Sequence, residues 1–292
     1  MPLQFAVLAS GSRGNATLIK AGGAGLLVDF GVGPKTIETR LGQVGASWRD
    51  VHAVLLTHTH GDHVDGATLG RFLTHAIPLY CHEGHLTQLA TLSRFAEVAT
   101  AGLIRTYDDR PFLTPDGLRV EPIELSHDAG PTYGFRVEGR AARGARPVAL
   151  GYLADTGMWT SRIADMLGDV DVLGVEFNHD VEMTRRSGRS PRLIARNLGN
   201  RGHLSNEQGA GLVQAVLHRS SPGGPKHVVL LHLSHECNRP DLALSTARSA
   251  IRGSGRRVTL HAAEQAVASA NLLVDGRARR SRRVREVANL PF

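Results

Sequence analysis

The stretch "VLLTHTHGDHVDG", residues 54–66, decides the fold, because it places three histidines and two aspartates within eight positions after an apolar run. Imidazole and carboxylate groups are the ligands that suit Zn, Mn and Fe. Gly61 and Gly66 permit the tight backbone path that such a loop needs. Four donors in six positions are improbable by chance in a chain with 15 histidines among 292 residues. We therefore predict a metal site at His58, His60, Asp62 and His63.

Further donors follow other apolar runs. His127 comes after "IEL", Asp155 after "LGYLA" and His232 after "VVLL", with His235 as a nearby alternative to His232. Since four neighbouring donors seldom complete a two-metal centre, we expect these strand ends to supply the remaining ligands.

Short apolar runs and helical patterns alternate along the chain. Strand-like runs open the sequence, the region 103–153 reads as strands, and "RRVTLHA" is the last strand predicted. The stretch "EGHLTQLATLSRFAEV" predicts one helix, and "NEQGAGLVQAVLHR" and "DLALSTARSAIR" predict two later ones. Two strand-rich halves with helices outside favour a layered α/β sandwich. No Ser/Pro linker divides them, so we expect a single domain over 1–276.

Composition limits the class of protein. The chain has 41% hydrophobic and 21% charged residues, and no apolar run of 18 residues that would predict a membrane span. The first residues have no basic region typical of a signal peptide. With two cysteines, a disulfide framework is not expected, so we predict a cytoplasmic protein without a membrane partner.

Positive charge admits two interpretations. The net charge is +7, which suits an anionic partner such as nucleic acid. However, nearly all the cations are arginines, and an Arg-, Ala- and Gly-rich chain can simply reflect a GC-rich genome. The Arg-rich tail, 277–292, is either a phosphate clamp or a solvated terminus.

The whole donor set resembles the signature of the metallo-β-lactamase superfamily. This resemblance implies an αββα four-layer sandwich with the metal site at one edge of its two sheets. It also implies two divalent ions, with Asp155 bridging them. One ion would be held by His58, His60 and His127, and the other by Asp62, His63 and His232.

Two further stretches resemble the tRNA 3′-processing nucleases of this superfamily. Glu176 in "GVEFNHDVEM" and His203 in "GHLSNEQGA" match a Glu/His pair whose His faces the scissile phosphate in those enzymes. Taken alone, His203 after a Gly would more often be a helix-start residue without a catalytic role. "LLHLS" is similar to another of their motifs, which favours His232 over His235 as a ligand.

A closer resemblance is to the YycJ/WalJ group of small stand-alone metallo-β-lactamase proteins, carried by "VLASGSRGNATLI", "VEFNHDVEM", "GHLSNE" and "HLSHECN". It implies a 5′→3′ DNA exonuclease, with DNA repair or cell-wall regulation as the setting. Asp155 and His232 are 77 positions apart, which leaves no room for a large inserted β-CASP domain. The alternatives are an RNA-processing nuclease, a thioester or lactone hydrolase, and a non-catalytic signalling partner.

The expected mechanism uses a hydroxide that bridges the two metals and attacks phosphorus. Asp62 would accept a hydrogen bond from this nucleophile, and His203, supported by Glu176, would protonate the leaving oxygen. We expect Mn as the activating ion and Zn as an alternative occupant.

Three residues are weaker candidates for contact with the substrate. Ser12 and Asn15 lie in "SGSRGN", which is either a phosphate-binding loop or a β-hairpin turn. His179 either contacts a nucleotide or caps the next helix.

Overall fold

A computed structural model describes residues 2–139 and 146–275. The predicted Arg-rich tail, 277–292, lies outside these residues, and the boundary of the predicted single domain at residue 276 stays a prediction.

Two seven-stranded sheets form the centre of the molecule. The first has the order β14-β1-β2-β3-β4-β5-β6, and its strands are β1 (Leu3–Ala9), β2 (Ala16–Ala21), β3 (Ala24–Val28), β4 (Ala53–Leu55), β5 (Leu79–His82), β6 (Ile104–Tyr107) and β14 (Ser269–Val274). The second has the order β13-β12-β11-β10-β9-β8-β7, and its strands are β7 (Phe112–Leu113), β8 (Arg119–Glu124), β9 (Tyr133–Glu138), β10 (Ala149–Leu153), β11 (Val172–Glu176), β12 (His227–Leu231) and β13 (Thr259–Ala262).

Helices cover the outer face of each sheet. Those that follow strands of the first sheet are α1 (Pro34–Gln43), α2 (Leu69–His75), α3 (Leu86–Leu89) and α4 (Phe95–Thr100). Those of the second half are α5 (Ser161–Met166), α6 (Val181–Arg185), α7 (Pro191–Leu198), α8 (Asn206–Arg219) and α9 (Pro240–Arg252). Short 3-10 helices span Trp48–Asp50 and Glu83–His85.

Alternation along the strands builds the four layers. In β1, Phe5 and Val7 belong to the core between the sheets, whereas Ala6 and Leu8 pack under the helices of the first sheet. In β10, Tyr152 faces the same central core, and its neighbour Leu153 packs against the helices of the second sheet. Because successive side chains of a strand point to opposite faces, each central strand buries both of its faces. The predicted αββα sandwich is confirmed.

Parallel strands direct the polar strand ends to one edge. Strands β3 to β6 run parallel to one another in the first sheet, as do β10 to β13 in the second. Asp29 follows β3, Asp155 follows β10 and His232 follows β12, while Glu176 is the last residue of β11. The carboxyl ends of neighbouring parallel strands therefore bring these groups together.

Two predicted elements differ from the structure. The single helix expected over 83–98 is a 3-10 turn followed by α3 and α4, and the chain reverses at Arg94, whose φ is +69°. Strand β13 is followed by a further strand, β14, which pairs with β1 from the opposite end of the chain. The apolar pattern of a segment does not show that a turn interrupts a helix or that a strand pairs with a distant part of the chain.

Within the described ranges, the helices are too short or too polar to cross a membrane.

Candidate metal centre

The histidine-rich loop leaves β4 and packs tightly against the loop that follows β3. His58 and His63 are fully buried. Gly31 allows this packing, because a Cβ atom at its position would lie 1.7 Å from the carbonyl oxygen of Asp62. The backbone N–H of Asn15 also donates to that oxygen, at 2.7 Å. The loop is thus fixed by backbone contacts as well as by its own turns.

Asp29 orients the ring of His63. Asp29 Oδ2 accepts from His63 Nδ1 at 2.8 Å, and Oδ1 accepts from the backbone N–H of Thr57 at 2.9 Å. Both side chains are fully buried. His63 Nε2 lies 3.0 Å from the carboxylate of Asp155. Burial alone would lower the pKa of His63, but the charges of Asp29 and Asp155 raise it well above its usual value, so the space between Nε2 and Asp155 stabilises a positive charge, either a proton or a metal ion.

A buried nitrogen of His58 gives a further indication of a cation. His58 Nε2 has no hydrogen-bond partner among the residues that the structure describes. The other ring nitrogen of His58 lies 3.0 Å from the hydroxyl of Thr57. Burial lowers the pKa of His58 well below its usual value, which keeps the ring in its neutral, metal-binding form. Buried polar groups normally have partners, so the donor set fits a metal ion.

Donor atoms gather in overlapping groups around Asp155. His127 Nε2 lies 3.2 Å from His60 Nδ1 and 3.9 Å from Asp155 Oδ1, while its Nδ1 donates to the carbonyl of Gly202 at 2.9 Å. Within each group, the potential ligand atoms lie within 4.8 Å of one another. The groups are His58–His60–His127, His58–His63–Asp155, Asp62–His63–His232 and Asp155–Glu176–His203–His232. All seven predicted ligands are therefore brought to one place.

Electrostatics of the centre also call for positive charge. Burial by itself would lower the pKa of His232, but Asp155, Asp62 and Glu176 outweigh it and raise that pKa to about 10. Burial would raise the pKa of Asp62, but the hydrogen bond with His232 and the charge of His63 lower it to about 2. A buried group of carboxylates is stable only when cations compensate it, and divalent metal ions suit these ligands.

Glu176 lies between two histidines. Its Oε1 is 2.8 Å from His203 Nδ1 and 3.1 Å from His232 Nδ1, while Oε2 accepts from the backbone N–H groups of Thr156 and Leu204. Burial would raise the pKa of Glu176, but the charge of His203 and the hydrogen bonds from both histidines lower it to about 2. The carboxylate is thus ionised and fully buried. This geometry fixes the ring of His203, whose side chain remains 15% exposed.

Three residues of the centre have left-handed backbone conformations. The φ angles are +61° at Asp29, +60° at Asp155 and +55° at His232. Such conformations cost non-glycine residues on the order of 1 kcal/mol each and are concentrated at functional sites. Here, each one turns the chain sharply at a strand end and points the side chain towards the shared edge.

A family model, the beta-lactamase superfamily domain, matches residues 26–233 and so spans all seven clustered residues. The chain belongs to the metallo-β-lactamase superfamily.

Two relatives from this superfamily match most of the chain. It is 31% identical over 251 residues to the exodeoxyribonuclease WalJ of Streptococcus pneumoniae, which covers 83% of the chain and 86% of the relative. It is 32% identical over 266 residues to the exodeoxyribonuclease YycJ of Bacillus anthracis, covering 87% and 91% respectively. The metallo-β-lactamase fold protein YhfI from Bacillus subtilis has a similar structure, with a TM-score of 0.64, 17% identity, and coverage of 92% of this chain and 99% of that one.

The weaker candidates for contact with the substrate lie in different settings. Ser12 is exposed and borders the cavity above the donor cluster. Asn15 is 1% exposed, and its amide nitrogen lies 3.0 Å from His63 Nε2. His179 is 2% exposed, and burial lowers its pKa to about 4. His235, the alternative to His232, is exposed.

Two acidic residues of the centre received no role from the sequence, although Asp29 in "LLVDFG" belongs to the stretch that resembles the superfamily. Asp29 fixes His63, and Asp128 lies with Oδ1 3.6 Å from His127 Nε2 and 3.8 Å from His60 Nε2. Each is a single acid in a short loop, without a repeated spacing that would single it out. Their positions after β3 and directly after His127 were the available signals.

A cavity of about 480 Å³ opens over the donor cluster. Its floor includes His60, Asp62, Asp155, His203 and His232, and its walls are Ser12, Arg189, Leu193, Arg196, Asn197 and Glu236. A second cavity, of about 530 Å³, begins at His127 and is lined by Met158, Arg162 and Arg201 among others. Both cavities therefore border the donor cluster, and each has two arginines in its lining.

Proposed function

We propose that this protein is a metal-dependent phosphodiesterase that acts as a 5′→3′ DNA exonuclease. The observation that carries the proposal is the contact between buried Glu176 and partly exposed His203, which places a supported imidazole at the edge of the donor cluster. A His held in this way suits proton transfer to an alkoxide leaving group. Two relatives that match most of the chain are named exodeoxyribonucleases, which supports DNA as the substrate.

The donor set suits two divalent ions. One would be held by His58, His60 and His127 and the other by Asp62, His63 and His232, with Asp155 between them. When bound, such ions lower the pKa of water and neutralise charge on the phosphoryl oxygens. Mn is proposed as the activating ion and Zn as an alternative occupant, since nitrogen and carboxylate donors accept both.

Asp62 and His203 would act on opposite sides of the phosphorus. Asp62 accepts a hydrogen bond from the attacking water and aligns it, which its low pKa and its place on the cavity floor support. Attack forms a new P–O bond and breaks the bond from phosphorus to the 3′-oxygen. His203 donates a proton to that oxygen, so the products are a 5′-phosphate and a 3′-hydroxyl.

Glu176 is a positioning residue in this mechanism. Because Oε1 contacts His203 Nδ1, the carboxylate selects the ring orientation in which Nε2 is directed away from it. Its second contact, with His232, ties the proton donor to a proposed metal ligand. The same carboxylate therefore couples metal binding to proton transfer.

The three weaker candidates receive different proposals. Ser12 is exposed on the cavity wall, where its hydroxyl can contact a phosphate oxygen. Asn15 is buried beside His63, which favours support of the metal loop over contact with the substrate. A nucleotide contact by His179 would require a change in its surroundings, because the ring is buried.

DNA labelled at the 5′ or the 3′ end, single- or double-stranded, tests the proposal when incubated with Mn-loaded or Zn-loaded protein. A 5′→3′ exonuclease releases labelled mononucleotide at once from 5′-labelled DNA, while 3′-labelled DNA shortens progressively. An Asp155→Ala variant should be inactive. An RNA substrate and a thioester are included as competing substrates. Cleavage of RNA or the thioester in preference to DNA would refute the proposal.

The cytoplasmic location of the protein stays a prediction.

A further inference from the structure

The wall of the cavity above the donor cluster carries two arginines from one short segment. Between positions 185 and 196 the chain has five arginines: Arg185, Arg186, Arg189, Arg192 and Arg196. This segment runs from the end of α6 through α7. Two of its members, Arg189 and Arg196, line the cavity together with Asp62 and His203. Two cationic side chains thus line the same cavity as the clustered donors.

Arg196 is held at the rim by an acid beside the cluster. It contacts Asp128 through two nitrogens, Nε to Oδ2 and a terminal nitrogen to Oδ1 at 3.0 Å. Its side chain is nevertheless 47% exposed. The hydrogen bonds to Asp128 come first among the causes that raise its pKa, and the charge of Asp62 adds to them. Arg196 is therefore close enough to the proposed centre to interact electrostatically with Asp62.

Arg189 is held by a different acid, Glu236. Its Nε and a terminal nitrogen lie 3.2 Å and 2.7 Å from a single oxygen of Glu236, and its side chain is 23% exposed. Glu236 itself is 66% exposed, so this ion pair is open to solvent. An exposed ion pair contributes about 0–1 kcal/mol, so an incoming anion can displace the carboxylate at small cost.

We propose that Arg189 and Arg196 bind two backbone phosphates of the DNA strand that flank the scissile phosphodiester, and that Glu236 keeps Arg189 oriented until DNA replaces it. The planar guanidinium forms paired hydrogen bonds with phosphate oxygens as it does with carboxylates. Each arginine already presents such a paired face to an acid at the rim of the cavity. The inference rests on the proposed nuclease function and assigns the residues that hold its substrate.

A structural role for these arginines makes a different prediction from a phosphate-binding one. If Arg189 merely fixed its segment through Glu236, loss of either partner would weaken DNA binding alike. If Arg189 binds phosphate, Glu236 competes with DNA, and the two losses have opposite effects. Glu236→Gln keeps the shape of the side chain and removes the charge, so it isolates the competition.

The experiment measures binding of a fluorescent ten-nucleotide single-stranded DNA by polarisation, together with KM for its cleavage, at several salt concentrations. Arg189→Ala and Arg196→Ala should each weaken binding about tenfold, since a hydrogen bond to a charged group is lost. Each should also reduce the slope of log Kd against log salt by about 0.7. Glu236→Gln should tighten binding by about two- to fivefold.

Arg186→Ala is the matched control. Arg186 lies on the same segment, but its side chain is 79% exposed and pairs with Glu182 at 2.7 Å. Its loss removes the same charge, but Arg186 is not among the residues that line the cavity, so binding should change less than twofold. Thermal unfolding of every variant shows whether it folds.

Three outcomes would overturn the inference. The first is equal weakening by all three Arg→Ala variants, which indicates a general charge effect. The second is weaker binding by Glu236→Gln, which indicates a structural pair. The third is unchanged Kd and KM in Arg189→Ala and Arg196→Ala while wild-type protein cleaves DNA, which leaves the proposed function intact. If wild-type protein neither binds nor cleaves DNA, the proposed function itself fails.

Discussion

The carboxylate of Asp29 accepts a hydrogen bond from His63 Nδ1 at 2.8 Å, and both side chains are fully buried. Asp29 does not line the cavity above the donor cluster, yet through this contact it determines which nitrogen of His63 is free to bind a metal. Support of this kind is commonly as important for a metal site as the ligands themselves.

Asp29→Asn should weaken metal binding about 10- to 100-fold, the usual effect of losing such a partner. The amide is similar in size to the carboxylate but cannot fix the ring by the same charged hydrogen bond. Calorimetric titration of metal-free protein with Mn or Zn measures the change. Asp241→Asn, on a side chain that is 71% exposed, is the control and should bind metal normally. Unaltered affinity in Asp29→Asn would contradict the role given to Asp29.

Gly31→Ala should disrupt the metal loop. The new Cβ would lie 1.7 Å from the carbonyl oxygen of Asp62, a distance that the backbone cannot accommodate without moving. We expect loss of bound metal and destabilisation of about 2 kcal/mol or more, as for other overpacked sites. Metal content by mass spectrometry and thermal unfolding measure both effects.

Gly33→Ala is the matched control for this change. Gly33 is two residues away, its φ is −60°, and a Cβ atom there would meet no described atom within 4 Å. The variant should keep its metal and its stability. Equal behaviour of the two variants would show that the close approach at Gly31 is unimportant.

The same local details mark the limit of what the sequence predicts. The spacing of His58, His60 and His63 reveals a metal loop, and the positions of His127, Asp155 and His232 after apolar runs place them at one sheet edge. The layered fold follows from the alternation of strand and helix patterns. These features depend on regular periods, so they are visible in one sequence.

Other features depend on contacts between distant segments. Asp29 and Asp128 are single acids in loops, and their roles depend on which ring lies opposite them in the folded chain. Asn15 reads as a turn residue, yet its amide lies beside His63. Likewise, β14 owes its place to pairing with β1 and not to its own pattern. A periodic pattern of apolar residues within one segment does not reveal contacts of this kind.

Glu176→Gln should impair both metal binding and turnover. The neutral amide cannot hold His203 and His232 as the carboxylate does, and it leaves buried hydrogen-bond donors poorly matched. We expect weaker metal binding together with a fall in kcat. Metal titration and single-turnover cleavage of labelled DNA measure the two effects separately. A fall in kcat with undisturbed metal affinity would show that the contact with His232 is dispensable.

Metal removal should lower stability as well as activity. Without bound metal, the carboxylates of buried Asp155 and half-buried Asp62 are compensated by neighbouring protonated histidines. At a free metal concentration of 100 times Kd, one bound ion stabilises the folded state by about 2.7 kcal/mol. Thermal unfolding with and without a chelator should show a clear decrease in Tm, reversed by added Mn or Zn. An unchanged Tm would contradict metal binding at this site.

The free energy of unfolding should decrease as the pH is lowered, partly because of His85, which lies outside the donor cluster. Its Nδ1 accepts from the backbone N–H of His82 and its Nε2 lies 2.8 Å from the carbonyl oxygen of Pro131. Burial lowers its pKa to about 4, below the value of 6.5 expected in the unfolded chain. Between these values the unfolded chain binds a proton that the folded chain does not, so stability decreases as pH falls.

His85→Gln removes this titration. Urea unfolding between pH 7 and pH 5 should therefore show a shallower decline in the free energy of unfolding than in wild-type protein. The difference should approach about 1.4 kcal/mol per pH unit in the middle of the window. Parallel pH profiles for the two proteins would contradict a neutral buried His85.

The central claim is that His203, held by Glu176, delivers the proton to the leaving oxygen of a phosphodiester while the clustered histidines and aspartates bind the metals. The most direct measurement is kcat for 5′-labelled DNA with wild-type protein and His203→Ala at equal, verified metal content. The account predicts normal metal content and a kcat about 10²- to 10⁴-fold lower in the variant. Cleavage of DNA by His203→Ala at the wild-type rate would contradict it.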